Sequence, residues 1–287
     1  MSHNRTETGV RSQIRQFFGL DYDPIALSTL NEKLGIEPNT YPAAGVIPTA
    51  RYIVIGIGGH QSEEGVDDIP LVSNKIHKTT DAAPFKMLPF ALRPTTSDLS
   101  NAMRARYCLR TVVNVAGSDY FAYYGRRFDP SGLEIESRVL TIESGVITAT
   151  APYVPDANTL SPIPSNLTPA DVMIADGDYV EVKARLRVEL DASDITEILN
   201  ASQVLYGSER YAFISELSLC TGADRSINVS DGQGNTIPFN EVIACQVANH
   251  IGLLQPAATQ RNGFPVTINV GSLEPLYIVS AQNVLTP

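Results

Sequence analysis

Gly56-Ile57-Gly58-Gly59 closes the apolar run RYIVI, where a dinucleotide-binding turn would bring its glycines up to a pyrophosphate. That fingerprint needs another glycine at position 61, but Gln61 stands there, and Glu63, Glu64, Asp67 and Asp68 follow closely enough to repel a phosphate. No helical pattern opens behind the glycines. The expectation is a flexible loop after a strand, with no cofactor. The same acidic run, and Asp231-Gly-Gln-Gly-Asn235, offer oxygen ligands of the kind a hard cation takes. Neither has EF-hand spacing, and the second reads better as a hairpin turn, so no metal is expected. His3, His60, His77 and His250 are too scattered to nominate a ligand set. Cys245 and His250 sit five apart in an apolar run, where packing is the simpler account. No GxSxG nucleophile elbow is present, and no catalytic residue is expected. Arg104, Arg106 and Arg110, with Arg126 and Arg127 across an expected hairpin, form the basic concentration of the chain. They suit a phosphate or an acidic partner, and in so acidic a chain ion pairs between subunits are favoured over DNA.

The elements that would position these residues are mostly strands. Arg11 to Phe18 suggests a short amphipathic helix. Asp23 as N-cap, Pro24 at the first helical position and Gly35 after the last predict a second helix over IALSTLNEKL. Pro38, Pro42 and Pro48 then punctuate an irregular stretch, so residues 1–45 read as a loosely attached helical arm. Strand is expected at Arg51 to Ile57 and from Ala105 to Val115, the latter turning at Gly117-Ser118-Asp119 into YFAYYGRRF. A second hairpin is expected at RVLTIESGVITATAP. Prolines at 70, 84, 89 and 94 make the region between these strands mostly loop. Asp178 to Leu190 alternates apolar and polar residues without a break, the pattern of an antiparallel strand with one solvated face. A helix with its N-cap near Ser193 should end at Gly207, and INVSDGQGNTIPF should form a hairpin. EVIACQVANHIGLL fits helix or buried strand equally. The fold class is α+β, strand-dominated, with antiparallel hairpins, a few helices and long Pro-rich loops. The expected organisation is an arm over 1–45, a β-rich part over 46–151, a Pro-rich linker over 152–172, and an α+β part over 173–287.

The chain has 287 residues, 21 Lys and Arg against 31 Asp and Glu, a net charge of −10, and only 18% charged residues. With 43% hydrophobic residues it is no disordered chain, and nothing basic is left over for a dedicated nucleic-acid binder. Cys108, Cys220 and Cys245 are far apart and read as reduced, buried thiols. The first residues lack a signal-like apolar stretch, and no window reaches membrane-span length. The expectation is a product made in the cytoplasm. Absent tryptophan, 19 prolines, 12 tyrosines and low charge suit a surface given over to neighbours rather than to water.

The segments RSQIRQFFGLDYDPIALSTLNEKLG, RYIVIGIGGH, DYVEVKARLRVEL and NEVIACQVANHIG carry a resemblance. In them the chain resembles virion structural proteins of tailed bacteriophages, especially the neck and tail-completion proteins of contractile-tailed phages. The resemblance implies a non-enzymatic subunit located in the virion, in a homo-oligomeric ring at the neck or collar between head portal and tail tube or sheath. Such a ring can encircle DNA without reading its sequence. A tail or baseplate component, or a glycan- or receptor-binding β-module, is the alternative. Expected contact residues are Phe17, Phe18 and Leu20 in the arm and Tyr120, Tyr123 and Tyr124 at the hairpin, because exposed apolar anchors mark interfaces.

Overall fold

The computed structural model describes residues 3–63, 71–160, 177–256 and 261–276. The architecture is α+β and strand-dominated, with antiparallel sheets. Two compact units divide the chain: one takes Met1–Asp129 and Glu189–Phe264, the other Pro130–Val188 and Pro265–Pro287. The division therefore falls at 129/130 and within the long strand near 188, not at the Pro-rich stretch. The expected linker begins with exposed residues, and its part from 161 to 172 lies outside the described residues.

The first unit is built on an eight-stranded sheet. Its strands are β1 (His3–Arg5), β2 (Thr49–Gly56), β5 (Met87–Leu88), β6 (Ala91–Pro94), β7 (Tyr107–Val115), β8 (Ser118–Arg127), β12 (Phe213–Ser230) and β13 (Thr236–Pro256). The order is β1-β13-β12-β2-β8-β6, with β5 also on β2 and β7 on β8. A small separate ladder pairs β3 (His60–Glu63) with β4 (Leu71–Asn74), so strand begins where a loop was expected. The long β12–β13 hairpin turns at Asp231, whose carboxylate accepts from the Gln233 and Asn235 amides and from the Asn235 side chain. The Asp231 oxygens thus serve the turn itself. The ambiguous run EVIACQVANHIGLL is strand, buried from Glu241 to Ile251. Tyr52, Val54, Cys108, Leu109, Cys220, Val242, Cys245 and Val247 form the main core, and all three cysteines are buried free thiols.

The arm is not loose. β1 pairs with β13, and the Thr6 amide donates to the Ala248 carbonyl at 2.9 Å. Thr6 caps helix α1 (Glu7–Phe18) by accepting from the Gly9 amide, and the Thr8 hydroxyl donates to the Val247 carbonyl at 2.7 Å. The second helix is shorter than expected. Leu27 takes a left-handed φ of 63°, which ends any helix begun at Pro24. Helix α2 (Leu30–Leu34) starts instead at Thr29, in a capping box with Glu32. Asn31 then ties α2 to β13, donating to Val242 O and accepting from the Cys245 amide.

Helix α3 (Asn101–Arg104) is a single turn, and helix α5 (Ala192–Tyr206) packs on β6 and β8 through Leu92, Ala122 and Ala201. The N-cap of α5 is Asp191, in a capping box with Asp194, two residues before the expected Ser193. Gly207 ends it in the left-handed conformation, as expected.

The second unit holds a four-stranded sheet in the order β10-β9-β11-β14. These strands are β9 (Ile135–Glu143), β10 (Val146–Pro152), β11 (Gly177–Asp191) and β14 (Gly263–Pro275), the last two running on across the division. A single helical turn, α4 (Ala157–Leu160), follows β10. The β9–β10 turn is Ser144-Gly145 and the β7–β8 turn is Ala116-Gly117, one residue before the expected place. All four residues have positive φ, the two-residue hairpin geometry that matches strand twist. The alternation read over Asp178 to Leu190 holds best at its end, where Leu186, Val188 and Leu190 are buried while Val182 is exposed.

Candidate functional site

Helix α1 presents the surface most suited to a partner. Gly9 lies against the Ala248 backbone and Thr8 faces inward, so the helix rests on β13 through its small residues. Val10, Ile14, Phe17 and Phe18 follow at spacings of four, three and one on the opposite side, all exposed. Phe17 is 82% exposed and Phe18 66%, their rings meeting edge to face at 5.1 Å. Gly19 turns the chain in the left-handed conformation and sets exposed Leu20 beside them. The charges of the helix have partners within the chain: Arg11 with Glu7, and Arg15 with Asp23 at 2.8 Å. Outward the helix offers these apolar side chains together with the exposed Glu7–Arg11 pair. A cleft of mixed lining, in which Arg11, Arg15 and Asp23 stand with Leu20, Ile25 and Ile47, adjoins the helix. Such a contiguous patch on one helix face is typical of a protein–protein contact.

The three arm residues expected as contacts thus lie together and outward. The hairpin tyrosines do not. Tyr123 is fully buried, packs its ring tilted against Tyr107, and donates its hydroxyl to Asp98 at 2.6 Å, so it is a core residue. Tyr120 and Tyr124 are half-buried and pack against the cluster under α5. The pattern YFAYY points its residues to alternate faces, and α5 covers one face in a way no local pattern reveals.

The expected basic patch is also resolved within the chain. Asp98 pairs with Arg104 at 3.3 Å and Arg110 at 3.2 Å. Asp194, wholly buried at the start of α5, takes Arg106 at 2.9 Å and Arg126 at 3.0 Å, and Arg127 pairs with Asp224 at 2.6 Å. These five arginines fasten α3, α5 and β12 to the hairpin. The expected pairing with another subunit gives way to pairing inside this one.

A second cluster, of another character, was not foreseen. Glu216 on β12 is 1% exposed, and its Oε1 accepts from the Phe85 amide at 2.9 Å and lies 3.1 Å from His77 Nε2. His77 Nδ1 lies 3.1 Å from the Asp81 carboxylate. Burial alone would lower the pKa of His77, but the two carboxylates outweigh it and hold it above the ordinary value, favouring an imidazolium. His250 stacks on His77 at 3.8 Å, with Phe85 on the other face at 4.1 Å. His250 Nε2 lies 3.0 Å from the Asp81 carbonyl, which only accepts, so that nitrogen carries the proton. Its Nδ1 then accepts from the Ser218 hydroxyl at 2.9 Å. Burial, with the neighbouring His77 charge, pushes His250 down to about 4. The surroundings thus favour the charged form of one ring and the neutral form of the other.

This geometry explains the glycine motif. A Cβ on Gly56 or Gly59 would run into the Glu216 side chain, and one on Gly58 would meet the Lys86 backbone nitrogen at 2.7 Å. Gly56 and Gly59 are buried, so the segment expected to be a flexible loop is tightly packed. Ser218 and His250 hold a serine–base geometry, but with Ser218 wholly buried no substrate reaches its Oγ in this packing. The cluster pins residues 77–85 to β12 and β13. The signal that could have found it is an acidic residue inside ISELSLC, a stretch buried on both faces.

Among the described residues, no three His, Cys, Asp or Glu side chains converge as a metal site, and no helix is long and apolar enough to cross a membrane. The acidic run expected as a solvated loop falls mostly outside the described residues, at 64–70. The chain belongs to DUF7208, described as a family of unknown function, whose model matches residues 2–284. No curated protein and no solved structure matches it.

Proposed function

We propose that this member of DUF7208 is a non-enzymatic structural subunit of a tailed-phage particle, forming a homo-oligomeric ring in the neck or collar between portal and tail. The observation that carries the assembly part of this reading is the outward face of α1. Val10, Ile14, Phe17, Phe18 and Leu20 are exposed together on an element that its own chain anchors firmly through Thr6 and Thr8. An apolar face fixed in place, with its helix charges already paired, gains most by covering itself with a neighbouring subunit. The place in a phage particle rests on the resemblance of the arm, the β2 segment, the β11 segment and the β13 segment. The partners are copies of this chain, portal or connector subunits, and tail tube or sheath subunits, and the location is the virion.

The test is incorporation. The native polypeptide should co-sediment with intact particles at a fixed copy number, and the F17S/F18S double substitution should abolish incorporation while the purified variant keeps its melting temperature. Wild-type protein absent from purified particles, or a double variant that incorporates normally, would overturn the proposal.

A further inference from the structure

The four-stranded sheet of the second unit places its charge contrary to the usual pattern. Soluble sheets protect their edges with charged residues, because an exposed neutral edge recruits another strand. Here the inner strands are the charged ones. β9 carries Glu136, Arg138 and Glu143, and β11 carries Asp178, Glu181, Lys183, Arg185, Arg187, Glu189 and Asp191. Among the described strands the two edges are β10 and β14. β10, with its flanks from Ser144 to Pro155, has no charged residue at all, and β14 has none before Glu274. Every residue of β10 is exposed. Val146 and Ile147 are β-branched apolar residues, and Thr148 and Thr150 add strand propensity.

The strand directions supply the partner. β10 runs antiparallel to β9, and β9 antiparallel to β11. β14 is antiparallel to β11, because the Leu276 amide donates to the Asp178 carbonyl at one end while Gly263 lies against the Leu190 carbonyl at the other. With four alternating strands, β10 and β14 run in opposite directions. A second copy placed head to tail therefore brings its β14 alongside β10 in the antiparallel sense, and the alternation continues unbroken. In a chain of net charge −10, two neutral edges add no like-charge repulsion to a contact between copies.

We infer that β10 of one copy pairs with β14 of the next, so that the sheet runs on from subunit to subunit. This contact is heterologous, the kind whose rotation closes a ring. It deepens the assembly reading above and rests on it, but it uses a surface apart from α1.

The experiment is sedimentation velocity of the full chain up to about 1 mM, a range in which even weak contacts are populated. Two charge-blocked variants accompany it, A149K/A151K on β10 and T267K/N269K on β14, each checked for a native melting temperature. Wild type should self-associate, and each variant alone should associate at least about tenfold more weakly. An equimolar mixture of the two variants retains one intact edge of each kind, so it should form a two-copy complex and stop there. Wild type that stays monomeric throughout would overturn the inference. So would a β14 variant that associates like wild type, since a β10-to-β10 contact leaves β14 idle. Failure of F17S/F18S to affect incorporation strikes at the assembly reading, whereas these outcomes strike at the sheet contact alone.

Discussion

The eight-stranded and four-stranded sheets distribute polar and apolar residues in opposite ways. In the first, β2 lies inside the sheet and buries Tyr52, Ile53, Val54 and Ile55, while charged Arg5 and Arg93 stand on the strands at its two ends. Its buried charges, Glu216, Asp194 and Glu241, all have a cation within ion-pairing reach. In the second, charge occupies the middle, and Ile135, Val146 and Ile147 stand in the open. The carboxylates of the first sheet find their cations within their own chain, although one oxygen of each, Glu216 Oε2, Asp194 Oδ1 and Glu241 Oε2, is buried without a hydrogen-bond partner. The second leaves apolar residues exposed, and under the proposed assembly such a burial deficit is what would specify a contact with a neighbour.

The sharpest way to break this comparison is to remove a buried partner. Glu216→Ala removes the acceptor of the Phe85 amide and the carboxylate beside His77, and urea unfolding should report a loss of about 3 kcal/mol. Ile53→Ala, at a wholly buried site, should cost about 3 kcal/mol. If either change is silent, the first sheet is not the self-sufficient body described.

The pH dependence of stability sharpens the same contrast. His250 is neutral in the folded chain down to about 4 but titrates near 6.5 when unfolded. Its contribution is therefore full above 6.5 and is lost as pH falls toward 4. Glu241 has the opposite sign. Burial first, and then the Glu37 carboxylate, push it up to about 7 from an ordinary 4.5. Its contribution is present below 4.5 and is lost as pH rises to 7. Between about 4.5 and 6.5 the two slopes oppose one another. Glu241→Gln removes one of them, so stability should then climb more steeply with pH across that window, by up to about 1.4 kcal/mol per unit. Urea midpoints measured at half-unit intervals would show it, and an unchanged profile would mean that Glu241 is not held above its ordinary value.

The smallest expected effect is the most telling for the second sheet. Ile147→Ala on β10 should change the stability of the isolated chain by less than about 0.5 kcal/mol, because the side chain is already in water. A loss comparable with that of Ile53→Ala would mean that β10 is covered by its own chain.

Local chemistry was readable wherever one segment settles its own conformation. Ser144-Gly145, Gly207 and the alternation ending in Leu186, Val188 and Leu190 are of this kind, and so is the strand-dominated class. The helix expected from Asp23 and Pro24 failed because a good cap at Thr29, paired with Glu32, competes a few residues on and Leu27 breaks the chain between them. The arm looked loose because Thr6 and Thr8 reach acceptors some 240 residues away. Of the site, the helix over Arg11 to Phe18, on which Phe17 and Phe18 are exposed, was legible from its amphipathic pattern. The His77 cluster was not, since positions 77, 81, 216 and 250 meet only after three segments fold together. The same holds for the arginines, whose acceptors at 98, 191, 194 and 224 come from three places in the chain.

The absence of side chains at Gly56 and Gly59 has a consequence for how this protein can vary. Neither position can gain a methyl group without dislodging the Glu216 carboxylate, and Glu216 cannot be exchanged without abandoning the imidazolium beside it. Residues 56, 59, 77 and 216 form a single mutational lock: a change at one is tolerated only when compensating changes arrive elsewhere in the set, so viable sequences should differ here in blocks rather than one letter at a time.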